Sequence, residues 1–369
     1  MRALLVIFSL TLLFTGGCAT APARSLAPSA ILPIQEQIIG KATGVVLVAR
    51  QGEVLWVGTF SNPAYSEIPS PTRDTAFDLA SMSKTFTAVA VLRLAERGQV
   101  DLDAPLRRYL PELPASTADI TLRHALAHDT GWPQYLSGDD QTMKTAEEVL
   151  LEIAAIQRER EAGSGYRYSD VGFVASALVV ERVTGQDFRD AMTQLVFTPA
   201  SLRSTGFYGA KEHASQTVAS GFVSGAATGS PQTLQYTWNL AGTGQVVATA
   251  DDLLRFNRAL VEGGLLGPEA RDLLFSAGVD TGGRKPFRSA DILSPTYGMG
   301  LYHWTDRAGR HVHYHGGAND FGFNSNMLWR EDDDVFVAAL FNSGSIEETF
   351  DRSAFMEAVL ASLEGPLAP

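Results

Sequence analysis

Residues 77–87 read FDLASMSKTFT, and this stretch places two serines and a lysine between two apolar segments. Phe77–Ala80 is typical of a strand, and the run TFTAVAVLRLAERG that starts at residue 85 is typical of a helix. Two interpretations are open at this point. In the first, a serine caps the helix and the lysine is solvated. In the second, Ser81 is a nucleophile and Lys84 is its base, one helical turn later.

The spacing of these residues decides which serine can react. Positions i and i+3 of a helix share a face, so Ser81 can meet Lys84, whereas Ser83 points elsewhere. A serine hydroxyl needs a base, and a helix N-terminus offers backbone N–H groups that can help to hold an oxyanion. Because S-x-x-K is common by chance, the rest of the chain has to support the catalytic interpretation.

The composition is that of a globular protein and excludes some partners. The chain has 369 residues, of which 45 % are hydrophobic and 19 % are charged, enough for a substantial core. It carries 29 basic and 41 acidic side chains, which gives a net charge of −12. This charge argues against nucleic acid, or an anionic membrane surface, as the main partner.

The first 18 residues, MRALLVIFSLTLLFTGGC, are typical of a secretory signal. One arginine precedes an apolar run that is too short to span a bilayer. Cys18 is the only cysteine of the sequence, and Gly16-Gly17 before it resembles a bacterial lipoprotein cleavage site, although Thr15 stands where an aliphatic residue is usual. We therefore expect an exported protein, periplasmic or anchored in a membrane through a lipid on Cys18, with a plain cleaved signal as the alternative.

The remaining pattern predicts an α+β fold. Residues 19–33 are rich in Ala, Pro and Ser and indicate a flexible tether, so we expect one folded domain over residues 34–365. Two strand-like runs flank a turn at residues 50–53, a helical region follows to about residue 200, and three strand-like runs lie between residues 311 and 344 before a last helix. This order predicts one antiparallel sheet built from both ends of the chain, flanked by terminal helices, with a mostly helical region inserted.

Two further motifs follow the first in the chain. Tyr168-Ser169-Asp170 precedes a predicted helix, and His315-Gly316-Gly317 ends a predicted strand. Together with S-x-x-K, they resemble the signature of the serine hydrolases related to class C β-lactamases and penicillin-binding proteins, which is S-x-x-K, Y-x-N, and K-T-G or, in esterase-like members, H-x-G. The resemblance spans residues 40 to 360 approximately. It implies a β-lactamase/transpeptidase-like fold with the active site between the sheet and the helical insert.

The resemblance also implies a role for each motif residue. Ser81 would be the acylated nucleophile, Lys84 its activating partner and Tyr168 a proton relay. The backbone N–H groups of Ser81 and Ala318 would form the oxyanion hole. The substrate would lie along the strand edge at Gly316 and Gly317, with His315, in place of the family lysine, facing a substrate carboxylate or ester oxygen.

Two departures from the family pattern narrow the expected chemistry. Asp170 stands where the family has Asn, and an ionised carboxylate can only accept hydrogen bonds. It would favour protonated Lys84 and move the role of base toward Tyr168. His315 replaces a permanent cation with a side chain that is largely neutral at pH 7. Both changes weaken the binding of a carboxylate-bearing β-lactam, so we expect hydrolysis of an ester or amide.

Other functions and sites remain open as alternatives. The protein could be a D-amino-acid peptidase or weak β-lactamase acting on peptidoglycan or β-lactams, or a non-catalytic, penicillin-binding-like sensor or scaffold. We expect a small acyl or peptide substrate and no cofactor. His311, His313 and His315 alternate along one strand, where they could bind zinc, but we expect packing roles for the first two and no metal. The aromatic residues that could line the cleft are Trp132, Tyr135, Trp238 and Tyr297.

Overall fold

The computed structural model describes residues 25–65, 69–210, 217–343, 351–364 and 367–368. The predicted signal, with Cys18, lies outside this part of the chain. The helices are α1 (Pro28–Ile38), α2 (Ser83–Glu96), α3 (Leu122–Leu126), α4 (Ala146–Ala155), α5 (Asp170–Thr184), α6 (Phe188–Met192), α7 (Ala250–Val261), α8 (Pro268–Phe275) and α9 (Arg352–Ser362). None of the helices in the described ranges has the length and apolar character needed to cross a bilayer.

The strands form one large antiparallel sheet and three small ones. The strands are β1 (Ser25–Leu26), β2 (Gly44–Arg50), β3 (Glu53–Phe60), β4 (Phe77–Asp78), β5 (Gly206–Phe207), β6 (Gly221–Val223), β7 (Ala226–Gly229), β8 (Val246–Ala248), β9 (Val279–Asp280), β10 (Leu293–Gly298), β11 (Leu301–Thr305), β12 (His311–Ala318), β13 (Asn324–Arg330), β14 (Val335–Phe341) and β15 (Leu367–Ala368). The large sheet has the order β3-β2-β14-β13-β12-β11-β10-β9. It joins strands from both ends of the chain, and the predicted α+β class is confirmed.

The turn between β2 and β3 shows why this hairpin forms. Arg50 pairs with Glu53, so the connection is the dipeptide Gln51-Gly52. Both residues have positive φ, 54° and 79°, as a type I′ turn requires. The twist of such a turn matches that of the strands it joins, which fixes the register of the edge hairpin.

The large sheet is covered on both faces. On β2, Val45 and Leu47 join the core beneath the inserted helical region, whereas Val46 and Val48 join the core beneath the terminal helices α1 and α9. This alternation follows from the two-residue period of a strand. Helix α2 lies within the first core, and its 14 residues include 11 buried ones. A helix that is buried on nearly all sides belongs inside a domain, which makes α2 a rigid base for the residues at its N-terminus.

The structure corrects the predicted tether at its C-terminal end. Helix α1 begins at Pro28, not near residue 34, and β1 precedes it and pairs with β15. Proline is tolerated at the first helical position because its missing N–H would have no partner within the helix. Leu26 is buried in the core beneath α1 and α9, so the described part of this Ala- and Pro-rich segment packs on the domain. Its composition alone suggested a linker.

Strands β9, β10 and β11 are a second difference, because the sequence pattern did not predict them. Pro295 interrupts β10, where the pairing with β11 shifts register, and Met299-Gly300 forms a tight turn between the two strands. Proline and glycine are typical of loops, so these strands are recognisable only from their pairing, of β11 with β12, of β10 with β11 and of β9 with β10.

Candidate active site

Ser81 lies in a 3-10 turn, Ala80–Met82, that leads directly into α2. Ala80 has φ +46°, a left-handed conformation that non-glycine residues seldom adopt. Its backbone N–H donates to Asp78 Oδ1 over 2.8 Å, which helps to hold the turn. Strain of this kind persists only where neighbouring contacts enforce it, and here it presents the Ser81 hydroxyl at the cleft.

Lys84 is fully buried, and its ammonium group has three oxygen neighbours. Its Nζ lies 3.1 Å from Ser81 Oγ, 3.2 Å from the carbonyl oxygen of Thr243 and 2.9 Å from Asp170 Oδ1. The ammonium group donates hydrogen bonds to Ser81 and to the Thr243 carbonyl, and its contact with Asp170 is an ion pair. The structure brings Ser81, Lys84 and Asp170 together and rules out the interpretation of a solvated lysine.

Tyr168 completes this cluster as a neutral phenol. Its side chain is hydrogen-bonded to Ser81, and the Lys84 ammonium lies 4.9 Å from the centre of its ring. Burial, and next the charge of Asp170, raises the pKa of Tyr168 well above its usual range, against the smaller lowering effect of the Ser81 hydrogen bond. The sequence suggested that Asp170 would move the role of base to Tyr168. The raised pKa opposes this, because the phenol keeps its proton at neutral pH.

The end of β12 lies directly against the turn that carries Ser81. A Cβ on Gly317 would stand 2.2 Å from the carbonyl oxygen of Leu79 and 2.8 Å from the backbone nitrogen of Ser81, so only glycine fits. The next residue, Ala318, lines the cleft beside Ser81. The two backbone N–H groups assigned to the oxyanion hole thus belong to two segments in direct contact.

His315 does not take the role that the resemblance implied. The residue is 1 % exposed, its Nε2 lies 2.9 Å from Tyr297 Oη, and its Nδ1 lies 2.7 Å from the carbonyl oxygen of Gly316. Burial, and next the charge of Lys84, lowers the pKa of His315 to about 3. A neutral ring with both nitrogens engaged supports the strand and the tyrosine rather than binding a substrate carboxylate.

The cleft has two arms that meet at the nucleophile. Ser81, Tyr168 and Ala318 border both arms. The larger arm has a volume of 380 Å³, and the residues used below that line it are Tyr135, Asp139, Asp140, Asp170, Asn239 and Asp320. The smaller arm has a volume of 190 Å³, and it is lined by Lys285, Pro286, Tyr302, Tyr314, His315, Gly316, Gly317 and Arg352.

Several of these lining residues had no signal in the sequence. Asp140 and Asp320 lie in turns, Asn239 lies in a short 3-10 helix, Trp238–Leu240, and Lys285 lies in a loop. None of them belongs to a motif. Among the aromatic candidates, the structure places Tyr135 at the cleft. The others, Trp132, Trp238 and Tyr297, are buried.

Asp78 is a further residue that sequence analysis missed, although it lies in the opening stretch. Its buried carboxylate accepts hydrogen bonds from the Tyr208 hydroxyl, the Ala80 N–H and the Asn319 amide. These donors come from three segments around the cleft, so Asp78 ties the turn before Ser81 to both sides of the larger arm. Burial raises the pKa of Asp78 to about 6.

The three alternating histidines have separate surroundings. His311 lies beside Asp332, whereas His313 contacts His303 and Glu331, and His315 contacts Tyr297. Within the described ranges, no group of three or more His, Cys, Asp or Glu side chains could hold a metal ion.

Comparisons with known proteins agree with this architecture. The sequence model of the family described as Beta-lactamase matches residues 34–361. Penicillin-binding protein 4* of Bacillus subtilis is 26 % identical over 251 residues, which cover 63 % of this chain and 55 % of that protein. Esterase EstB of Burkholderia gladioli is 37 % identical over 187 residues, which cover 45 % and 47 %. The chain thus spans about half the length of these curated relatives.

A solved structure shows the same fold over nearly the whole chain. D-amino acid amidase from Ochrobactrum anthropi superposes with a TM-score of 0.73 at 22 % identity, covering 91 % of this chain and 98 % of that one. Identity at this level speaks for the fold alone. The predicted β-lactamase/transpeptidase-like fold is confirmed.

The close contact between Gly317 of β12 and the turn that carries Ser81 predicts that one added methyl group lowers activity. We expect Gly317→Ala to lower kcat for an aryl ester at least about 100-fold, because the added Cβ must displace either Leu79 or Ser81. Gly264→Ala is the matched control, since a Cβ there meets nothing nearer than 3.8 Å. Steady-state kinetics of both folded variants decide, and equal activities would contradict the proposed close fit.

The raised pKa of Asp78 predicts a stability that falls with rising pH. Because the folded-state value of about 6 exceeds the ordinary 3.8, the contribution is full below pH 3.8 and is lost as the pH rises through 6. The free energy of unfolding of the wild type, minus that of Asp78→Asn, should fall by about 2 kcal/mol between pH 4 and pH 7. Urea denaturation at several pH values measures this difference, and a difference independent of pH would show that Asp78 titrates normally.

Proposed function

The chain is a member of the beta-lactamase family, and from this we propose that it is a serine hydrolase that cleaves a carboxylic ester or amide through an acyl-enzyme on Ser81. The observation that carries the proposal is the Ser81 hydroxyl at a cleft, 3.1 Å from a buried lysine amine. Activities named for similar proteins, an esterase and a D-amino acid amidase, support the substrate class.

Asp170 supplies the first proton acceptor in this mechanism. The resting Lys84 ammonium donates to Ser81 Oγ and to the Thr243 carbonyl, and because it is protonated it cannot take a proton from Ser81. The Asp170 carboxylate, 2.9 Å away, is its ionisable neighbour and can take one of these protons. The resulting neutral amine then accepts the Ser81 proton while Oγ attacks the substrate carbonyl.

The remaining steps use groups that already surround Ser81. The carbonyl oxygen becomes an oxyanion that accepts hydrogen bonds from the backbone N–H groups of Ser81 and Ala318. As the carbonyl forms again, the bond to the leaving group breaks, and the Tyr168 hydroxyl gives that group its proton. The proton that Lys84 took from Ser81 restores the phenol. In the second half, water gives a proton to the amine, its oxygen attacks the acyl carbon, and Ser81 leaves and regains its proton.

A second candidate substrate class has support in the smaller arm. Lys285 and Arg352 line it, and they are held by backbone carbonyl groups of Ser289 and Pro286. These two cations could bind the carboxylate of a peptide or a β-lactam, which His315 cannot do. Asp170 argues against a β-lactam substrate. Its carboxylate is paired with Lys84 and has no hydrogen to donate to a substrate amide.

Export belongs to the proposal as well. Its support is the sequence of residues 1–18, with an apolar run that ends in Gly16-Gly17-Cys18. A lipid on Cys18 would place the hydrolase on a membrane surface in the periplasm.

Covalent labelling tests the nucleophile. A fluorophosphonate should form an adduct on Ser81 in the wild type, and Ser81→Ala should abolish both labelling and aryl ester turnover. Ser83→Ala is the matched control, because Ser83 is buried and accepts a hydrogen bond from the Val246 N–H over 3.2 Å. Mass spectrometry of the peptides locates the adduct. A folded wild type that takes no label would favour the non-catalytic sensor or scaffold.

The Asp170 role is tested by removing its charge. Asp170→Asn should lower kcat/KM for an aryl ester about 100-fold, because Lys84 loses its proton acceptor. Asp103→Asn, at an exposed carboxylate paired with Arg123, is the control. Undiminished ester turnover in Asp170→Asn would refute the acceptor role. Turnover of a penicillin by the same variant, if it rises, would show that Asp170 excludes β-lactams.

A further inference from the structure

We propose that the larger arm of the cleft binds a cationic group, an alkyl- or arylammonium carried by the substrate. The inference rests on the proposed function, because this arm opens on Ser81. It goes beyond that function in assigning a charge to the substrate and a place for that charge.

The charges of the larger arm are the first observation. Asp139 and Asp140 belong to the loop before α4, Asp170 begins α5, and Asp320 lies in the turn after β12. The described residues that line this arm include no arginine or lysine, and Lys84, below it, is paired with Asp170. Since Lys84 offsets the charge of Asp170, the carboxylates that concentrate a negative potential in this concave space are those of Asp139, Asp140 and Asp320, from two separate segments.

Asp140 and Asp320 bring the two sides of the arm together. The half-buried Asp140 carboxylate lies beside the backbone of Asp320, so the loop of the inserted region meets the turn of the large sheet. Burial, and next the charge of Asp320, raises the pKa of Asp140. A cation between the two carboxylates would offset both effects.

Asn239 is an independent observation, since it carries no charge. It lines the same arm, it is 8 % exposed, and its Nδ2 donates to the carbonyl oxygen of Asp139 over 2.9 Å. Its buried Oδ1 has no hydrogen-bond partner among the described residues. A buried amide oxygen without a donor is costly, and a ligand with N–H groups in this arm would supply one.

Tyr135 adds an aromatic surface to the same arm. The side chain is 62 % exposed although it is large and apolar, and its hydroxyl accepts a hydrogen bond from Gln134 over 2.5 Å. An exposed ring beside carboxylates is a favourable environment for an ammonium group, because both the face of the ring and the carboxylate charges attract a cation. A divalent metal ion fits less well, because the described side chains form no cluster that could hold one.

Matched substrates that differ only in charge test the inference. The p-nitrophenyl esters of 4-(dimethylammonio)butanoate and 5-methylhexanoate place the charge, or its isosteric carbon, in the acyl group. 2-(Dimethylammonio)ethyl acetate and 3-methylbutyl acetate do so in the leaving group. At low ionic strength, kcat/KM should favour the cationic ester about tenfold or more in one of the two pairs, and salt should reduce the preference.

Variants of the carboxylates in the larger arm test whether the preference for the cationic ester arises there. Asp140→Asn and Asp320→Asn should each lower the ratio of cationic to neutral turnover about fivefold or more. Glu53→Gln, at an exposed position on the edge strand β3, changes the net charge equally and should leave the ratio unchanged. Ratios near one in both pairs, or a ratio insensitive to Asp140→Asn, would overturn the inference.

A binding measurement separates this inference from the proposed function. Calorimetry of the Ser81→Ala protein with benzyldimethylammonium chloride, which keeps one N–H, should show binding that weakens about fivefold or more in Ser81→Ala/Asp140→Asn. Such binding, in a protein whose wild type takes no fluorophosphonate and turns over no ester, would keep the cation site and refute the hydrolase. Labelling of Ser81 together with no ammonium binding would refute the cation site alone. Binding of calcium chloride but not of the ammonium salt would likewise overturn it.

Discussion

The buried ammonium of Lys84 is the constraint on which the rest of the site depends. Its three oxygen neighbours come from the turn before α2, from the start of α5 and from the chain near Thr243. A buried charge that loses one partner costs several kcal/mol, on the order of 3–5. The three segments are therefore held in one arrangement, and the same contacts that satisfy the charge place Ser81 and Asp170 for chemistry.

The large sheet supports that arrangement from the other side. Gly317 lets β12 touch the strained turn, while Asp78 holds the Ala80 N–H within it. Neither residue reacts in the proposed mechanism. Both fix the distance between the nucleophile on the helical side and the backbone N–H of Ala318 on the strand side, and an oxyanion hole depends on that distance.

The sequence predicted what local patterns and ordered motifs encode. The hairpin at Gln51-Gly52, the strands β12 to β14 and the pairing of Ser81 with Lys84 all follow from short-range signals. The environment of a side chain does not follow from such short-range signals. His315 kept its place in the motif, but its burial and its contact with Tyr297 changed its role.

The cleft residues that belong to no sequence motif could not be predicted, for the same reason. Asp140, Asn239 and Asp320 are far apart in the sequence, and only the fold brings them to one arm. The start of α1 was missed because its Ala- and Pro-rich composition resembles a linker, whereas burial of Ile34 and Ile38 decides its structure. Tertiary packing outweighs composition in such segments.

The two arms that share Ser81, Tyr168 and Ala318 impose an order of events on the proposed reaction. An acyl group bound to Ser81 fills one arm, and the departing group vacates the other. Water must then enter the arm that the first product left, so water and the first product compete for the same space. An alcohol or amine that fits the vacated arm competes there too, and the fate of the acyl group, hydrolysis or transfer, is set by which molecule occupies that arm.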